Sequence, residues 1–195
     1  MGIPDVIGHG KLILGEFVSV EGGVLFDLSD NFSAVLEIGT RSKVKHGATI
    51  RLYGGSVRVG SRVSIGENVV IAGHGGVHIG HCTIIGPNCT ITASEHLFAS
   101  TDCAIRFQGE TMRGIHIGTG VWIGSGVSIL DGVHIGDHSI IGAGSVVTRD
   151  IAESCICLGV PCRQVGRIER MRLSDFQVLE EKEKNGENRK SNMSS

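Results

Sequence analysis

The chain has 195 residues, and its 18 Lys plus Arg against 20 Asp plus Glu leave a formal net charge of −2 at pH 7. That length suits one domain with a small appendage, and the near balance of charge argues against a broad nucleic-acid-binding groove, which needs a net basic surface. Thirty glycines, roughly twice the usual share of about 7%, and only six Phe, one Tyr and one Trp leave a core to be built from Ile and Val, as in a repeat architecture.

The opening MGIPDVIGHGKLILGEF has no basic region followed by a clean apolar stretch. No run reaches about 18 apolar residues, so a soluble cytoplasmic protein without membrane insertion is expected. Weak six-residue units begin at Leu14, Val20 and Phe26, and residues 1–37 are read as an atypical N-terminal coil or cap.

From residue 38 the units become regular, opening at Ile38, Val44 and Ile50, then Val59, Ile65 and Ile71, then Ile79, Ile85 and Ile91. A period of six fits neither a helix face nor a long flat strand. It fits short strands joined by tight corners, with three sides making a triangular coil. The opening aliphatic residue points inward, and a small or β-branched fifth residue sits near the corner. The fourth place carries Gly47, Asn68 and Asn88, types that tolerate the positive φ a sharp corner demands.

Late in the chain six units run without interruption, IGTGVW, IGSGVS, ILDGVH, IGDHSI, IGAGSV and VTRDIA, from Ile117 to Ala152. Their fourth places are Gly120, Gly126, Gly132, His138, Gly144 and Asp150. First units of successive coils start at 38, 59, 79, 117 and 135. Against eighteen residues per coil the excesses are 3, 2, 20 and 0, and all leave after a third unit, at one corner of the prism. The expected solenoid spans 38–153, with a long loop at 93–116.

Beyond Val147 the pattern is expected to fade. Gly159 and Pro161 suggest a chain turning back over the open end of the prism. Ser174 with Gln177 resembles an N-cap box, so residues 154–184 are read as a cap with a short helix. The polar residues 185–195 are read as a disordered tail. The cysteines at 82, 89, 103, 155, 157 and 162 lie among aliphatic repeats and are expected as free thiols.

Long insertions over a rigid scaffold often carry function. His96 stands at the mouth of the only long one, and imidazole titrates near neutrality, as a general base requires. The same loop holds Phe98, Arg106, Phe107 and Gln108, a mixture of stacking and hydrogen-bonding groups suited to a carbohydrate. Cys103 offers a competing nucleophile. His78, His116 and His134 each precede a first-unit Ile, so they stack outward in one column, read as a polar subunit contact in preference to a metal site.

The repeat, the loop segment SEHLFAS, VWIGSGVSIL, IGAGSVVTRDI and LGVPCR together resemble bacterial hexapeptide-repeat O-acetyltransferases, such as galactoside, maltose and capsular or lipopolysaccharide sugar acetyltransferases. The resemblance runs from about Val57 to Arg163. It implies an all-β fold, a left-handed parallel β-helix, although periodicity does not give the hand and parallel crossovers are right-handed in about 98% of cases.

The resemblance also implies an acetyl-CoA-dependent homotrimer with active sites between subunits. It makes His96 catalytic and Trp122 a wall on the acceptor side, beside the loop's Phe98 and Arg106. It puts Ser125 at the thioester, Ala143 at the pantetheine arm, Thr148 and Arg149 near the nucleotide and Arg163 at the phosphates. Metal ligands are expected to be none. Two departures stand out: a second arginine of some relatives falls at Gly166, and the galactoside enzymes' sugar-binding aspartate falls at His74. The expected function is acetyl transfer to a hydroxyl of a sugar or polysaccharide. Alternatives are an acetyltransferase for an antibiotic or other small alcohol or amine, and a non-catalytic interaction protein.

Overall fold

A computed structural model describes residues 3–30 and 33–169. Its strands are only two to five residues long, too short to bury a face alone, so each takes its partners from the coils above and below. Three parallel sheets result. The first face orders Lys11–Leu14, Val35–Ile38, Val57–Val59, Val77–Ile79, Ile115–Ile117 and His134–Ile135. The second runs from Ser19–Val20 through Lys43–Val44, Ser64–Ile65, Ile84–Ile85, Trp122–Ile123 and Ile140–Ile141 to Cys155–Leu158. The third runs from Asp5–Gly8 through Leu25–Leu28, Thr49–Arg51, Val70–Ala72, Thr90–Thr92 and Ser128–Ile129 to Val146–Val147.

Register confirms the six-residue units. Ile79, Ile117 and Ile135 stack on the first face, Ile85, Ile123 and Ile141 on the second, and Ile91, Ile129 and Val147 on the third. All nine are buried. The fold is the left-handed parallel β-helix of hexapeptide repeats that was expected. The N-terminal units belong to it too: Asp5–Gly8 pairs with Leu25–Leu28, and Lys11–Leu14 with Val35–Ile38.

Fifth-place residues are buried as well, and where they are polar they clip coils together. The Ser139 hydroxyl donates to the Ala152 carbonyl (2.8 Å) and accepts from the Cys155 amide (3.3 Å). Thr83 does the same between the Gly118 carbonyl and the Val121 amide. Buried hydroxyls need such partners, because an unpaired one would forfeit its bonds to water.

The corners hold positive φ at Gly47, Asn68, Asn88, Gly120, Gly126, Gly132, His138 and Gly144, as expected. Less permissive residues also adopt it, including Arg41 (60°), Arg62 (59°) and Cys82 (58°). Each costs on the order of 1 kcal/mol there, and the stacked coils on either side hold it in place.

Asp150 departs from the expectation, because the last corner is two residues short. Ile151, not residue 153, bridges to Ile135, and Cys157 pairs with Ile141. Asp150 lacks the positive φ of a corner and accepts the His134 amide at 2.8 Å, and Ser154 (φ 56°) holds the next corner, in line with His138.

The repeat thus continues past Val147, with Ile151, Cys155 and Cys157 buried. After the cis Val160–Pro161 bond the chain turns back as Arg163–Arg167, antiparallel to Cys155–Leu158. It extends the edge of the second face instead of crossing the prism end. The helix expected around Ser174 and the tail at 185–195 lie outside the described residues. All six cysteines are free thiols; Cys82 and Cys103 are exposed. Among the described residues, no helix is long and apolar enough to cross a membrane.

Candidate active site

The insertion leaves the corner between the third and first faces after Thr90–Thr92 and rejoins the coil at Ile115–Ile117. At its base Glu95–His96 pairs antiparallel with Glu110–Thr111, with Glu95 opposite Thr111 and His96 opposite Glu110. The Leu97 amide adds a bond to the Gly109 carbonyl at 3.0 Å. Neighbouring side chains in a strand diverge. Accordingly Glu95 turns to Arg113, Oε2 to Nη2 3.8 Å, and is not the partner that orients the imidazole. His96 is exposed and lines a pocket of about 360 Å³ with Leu97, Phe98, Thr111 and Arg113.

The loop tip is organised by Gln108. Its Nε2 donates to the carbonyls of Ser100 (2.8 Å) and Cys103 (2.7 Å), and its Oε1 accepts the Ser100 amide (3.0 Å). The sequence suggested a sugar-binding amide there; the structure has it holding the loop's own backbone. Phe98 is 72% exposed at the pocket. Arg106 lies apart in the short turn Ile105–Phe107, its guanidinium 5.8 Å from the Phe107 ring centroid. Cys103 is exposed and does not line the His96 pocket.

Sequence reasoning passed over Asp131. It follows Ser128–Ile129 at the same corner, and its side chain is 0% exposed. The carboxylate accepts the Thr111 hydroxyl (2.9 Å), the amides of Arg113 (3.1 Å) and Gly114 (3.0 Å), and Arg113 Nε (3.3 Å). Arg113 Nη2 also donates to the Asp131 carbonyl at 3.1 Å. Burial alone pushes this carboxyl up, but the amides, hydroxyl and guanidinium outweigh it and hold it below its ordinary value. A lone Asp before Gly reads as a turn residue, so only the folded loop shows what it holds.

The remaining expected site residues sit elsewhere on the prism. Trp122 is 54% exposed on the second face, between Ile84 and Ile140. Ser125 and Ala143 are exposed in successive coils at the corner between the second and third faces, where the Gly144 amide bonds the Ser125 carbonyl (2.8 Å). Thr148 and Arg149 are exposed after Val146–Val147, back at the loop's corner. Arg149 and Arg163 share a recess of about 160 Å³ with Asp150, Cys157 and Cys162. One chain therefore does not bring His96 together with Trp122, Ser125 or Ala143.

A larger groove, about 660 Å³, follows the first face and meets the His96 pocket at Arg113. His78, His116 and His134 form one wall, their rings stacked at 4.7 and 4.5 Å. His74 lines it too; its ring stacks on Tyr53 at 4.2 Å, and its Nδ1 is buried without a hydrogen-bond partner. Among the described residues, no three His, Cys, Asp or Glu side chains are grouped to hold a metal ion.

Residues 114–149 match the family model described as bacterial transferase hexapeptide (six repeats). That stretch carries the hexapeptide repeats. It is 40% identical over 117 residues to the galactoside O-acetyltransferase of Escherichia coli, covering 60% of this chain and 56% of that one. It is 30% identical over 162 residues to a probable acetyltransferase of Mycobacterium tuberculosis, covering 83% and 52%. The chain thus spans little more than half the length of these curated relatives, and it is similar in sequence to both acetyltransferases. A crystal structure of AntD, an N-acyltransferase from Bacillus cereus, in complex with dTDP and 3-hydroxybutyryl-CoA, superposes with a TM-score of 0.62. Its identity is 18%, over 94% of this chain and 91% of that one, a likeness of fold.

Proposed function

We propose that this protein is an acetyl-CoA-dependent O-acetyltransferase that acetylates a hydroxyl of a sugar or polysaccharide. We propose further that it works in the cytoplasm as a homotrimer with active sites between subunits. The observation that carries this reading is the placement of His96. It stands on an inserted ribbon at one corner, while Trp122, Ser125 and Ala143 occupy another face and another corner. A packed prism does not bend to join them, so a complete site needs a second copy, with His96 of one chain facing the donor side of the next.

The residues suit the donor. Arg149 and Arg163 line a small recess, and guanidinium groups pair well with phosphate oxygens. The exposed residues Ser125 and Ala143, stacked in successive coils, offer a corner along which an extended amide-bearing arm can lie. Bound acetyl-CoA supplies an acyl group already activated as a thioester.

His96 takes the proton from the acceptor hydroxyl as it attacks, then holds it for the departing thiolate. The Ser125 hydroxyl, or a nearby corner amide, donates to the carbonyl oxygen as it gains charge. Phe98, Trp122 and Arg106 contact the acceptor. No covalent step on Cys103 is needed, because the thioester is reactive without one.

The test is acetyl transfer to a panel of saccharides, read by mass spectrometry, beside acetyl-CoA binding by calorimetry. His96→Ala is expected to keep binding and to lose transfer by about 10²–10⁴-fold. A wild-type protein that does not bind acetyl-CoA, or a His96→Ala variant of full activity, would end the proposal.

A further inference from the structure

We propose that Asp131 is a positioning residue for His96, fixing the imidazole through the returning strand of the inserted loop. The inference rests on the reading of His96 as the base. Asp131 is the only charged residue buried among the described residues. All the carboxylate's bonds go to three residues where the loop rejoins the coil, Thr111, Arg113 and Gly114.

Those three residues lead directly to His96. Thr111 pairs with Glu95, and its hydroxyl reaches the Glu95 carbonyl at 3.4 Å as well as Asp131. Arg113 spans from Asp131 to the Glu95 carboxylate. Asp131 therefore grips one strand of a two-stranded ribbon whose other strand ends at His96. A ribbon of two residues per strand is unstable alone in water, because it buries little and closes a long loop. Its geometry depends on an outside anchor, and this carboxylate supplies one from the rigid corner of the next coil.

Removing the anchor separates two outcomes that a general loss of stability would join. The coils keep their own ladders on all three faces, so Asp131→Ala should leave the solenoid folded and free the ribbon. Misplacing a reacting group by about 1 Å costs on the order of 10²-fold in rate, so kcat should fall by about that factor. The KM for acetyl-CoA should stay unchanged, because the donor residues lie off the ribbon. Asp131→Asn keeps the shape and one acceptor oxygen and should recover part of the loss. Thr111→Val, which removes the hydroxyl's bond to Asp131 and its longer contact with the Glu95 carbonyl, should give a smaller fall in the same direction.

The experiment pairs these kinetics with hydrogen–deuterium exchange on the full chain. In Asp131→Ala, residues 93–113 should exchange about tenfold faster or more, with the solenoid strands still protected. Unchanged exchange in the loop, or a freed loop with normal kcat, would overturn the inference. If Asp131→Ala does not fold, Thr111→Val gives the same decision. If the wild type transfers no acetyl group, the enzymatic reading fails, while the exchange still decides whether Asp131 anchors the ribbon.

Discussion

The imidazoles of His116 and His134 stack across the first face, their centroids 4.5 Å apart and their planes 4° from parallel. His78 closes the other side at 4.7 Å, so His116 is the middle ring of three. Burial lowers the His116 pKa from 6.5, the charges of His134 and His78 lower it further, and Asp137 opposes them. The unfolded chain then takes up a proton at His116 at a higher pH than the folded one. Stability should fall as pH drops below about 6.5 and level off beneath the folded-state value. In His116→Thr, melting temperatures measured between pH 7.5 and 5 should decline less than in the wild type; an equal decline would refute the effect.

Ile123 lies between Ile85 and Ile141 in the second-face column and is fully buried. Truncation to Ala leaves a cavity that stacked coils cannot close without breaking ladder bonds. Ile123→Ala should cost about 2–5 kcal/mol in urea denaturation. A loss below about 1 kcal/mol would mean that this column collapses more easily than a close-packed core does.

Arg149 and Arg163 line one recess, and both are exposed. If they bind phosphate, Arg163→Ala should raise the KM for acetyl-CoA about tenfold and leave kcat unchanged, the pattern of uniform binding lost. Steady-state kinetics at saturating acceptor would show it. A fall in kcat at constant KM would move Arg163 out of the donor site.

The repeat was legible because two positions of each unit, the first and the fifth, obey separate constraints that agree on one register. The third constraint, positive φ at the fourth place, was only partly legible. Gly and Asn announce it, whereas Arg41, Arg62 and Cys82 adopt it because the coils on either side leave no other path. The shortened corner before Ile151 hid itself, since VTRDIA mimics a full unit while two of its residues are missing from the turn.

Of the candidate site, His96 stood out by its place in the chain, and the structure sets it on an exposed ribbon beside Phe98 and Arg113. Gln108 ties its own loop, a role that composition cannot tell from that of a ligand-facing amide. Asp131 could not be found by spacing, since its partners lie 17 to 20 residues earlier, at the end of the insertion.

The insertion at 93–114 interrupts the chain but not the ladders. Val77–Ile79 pairs with Ile115–Ile117, Ile84–Ile85 with Trp122–Ile123, and Thr90–Thr92 with Ser128–Ile129, so three sets of bonds cross the place where the backbone strays. Covalent continuity through the loop is redundant for holding the two halves of the solenoid together. A protease nick between Phe98 and Phe107 would leave two fragments still zipped as one body, and new termini placed there would give a permuted chain with the same wall of stacked rungs.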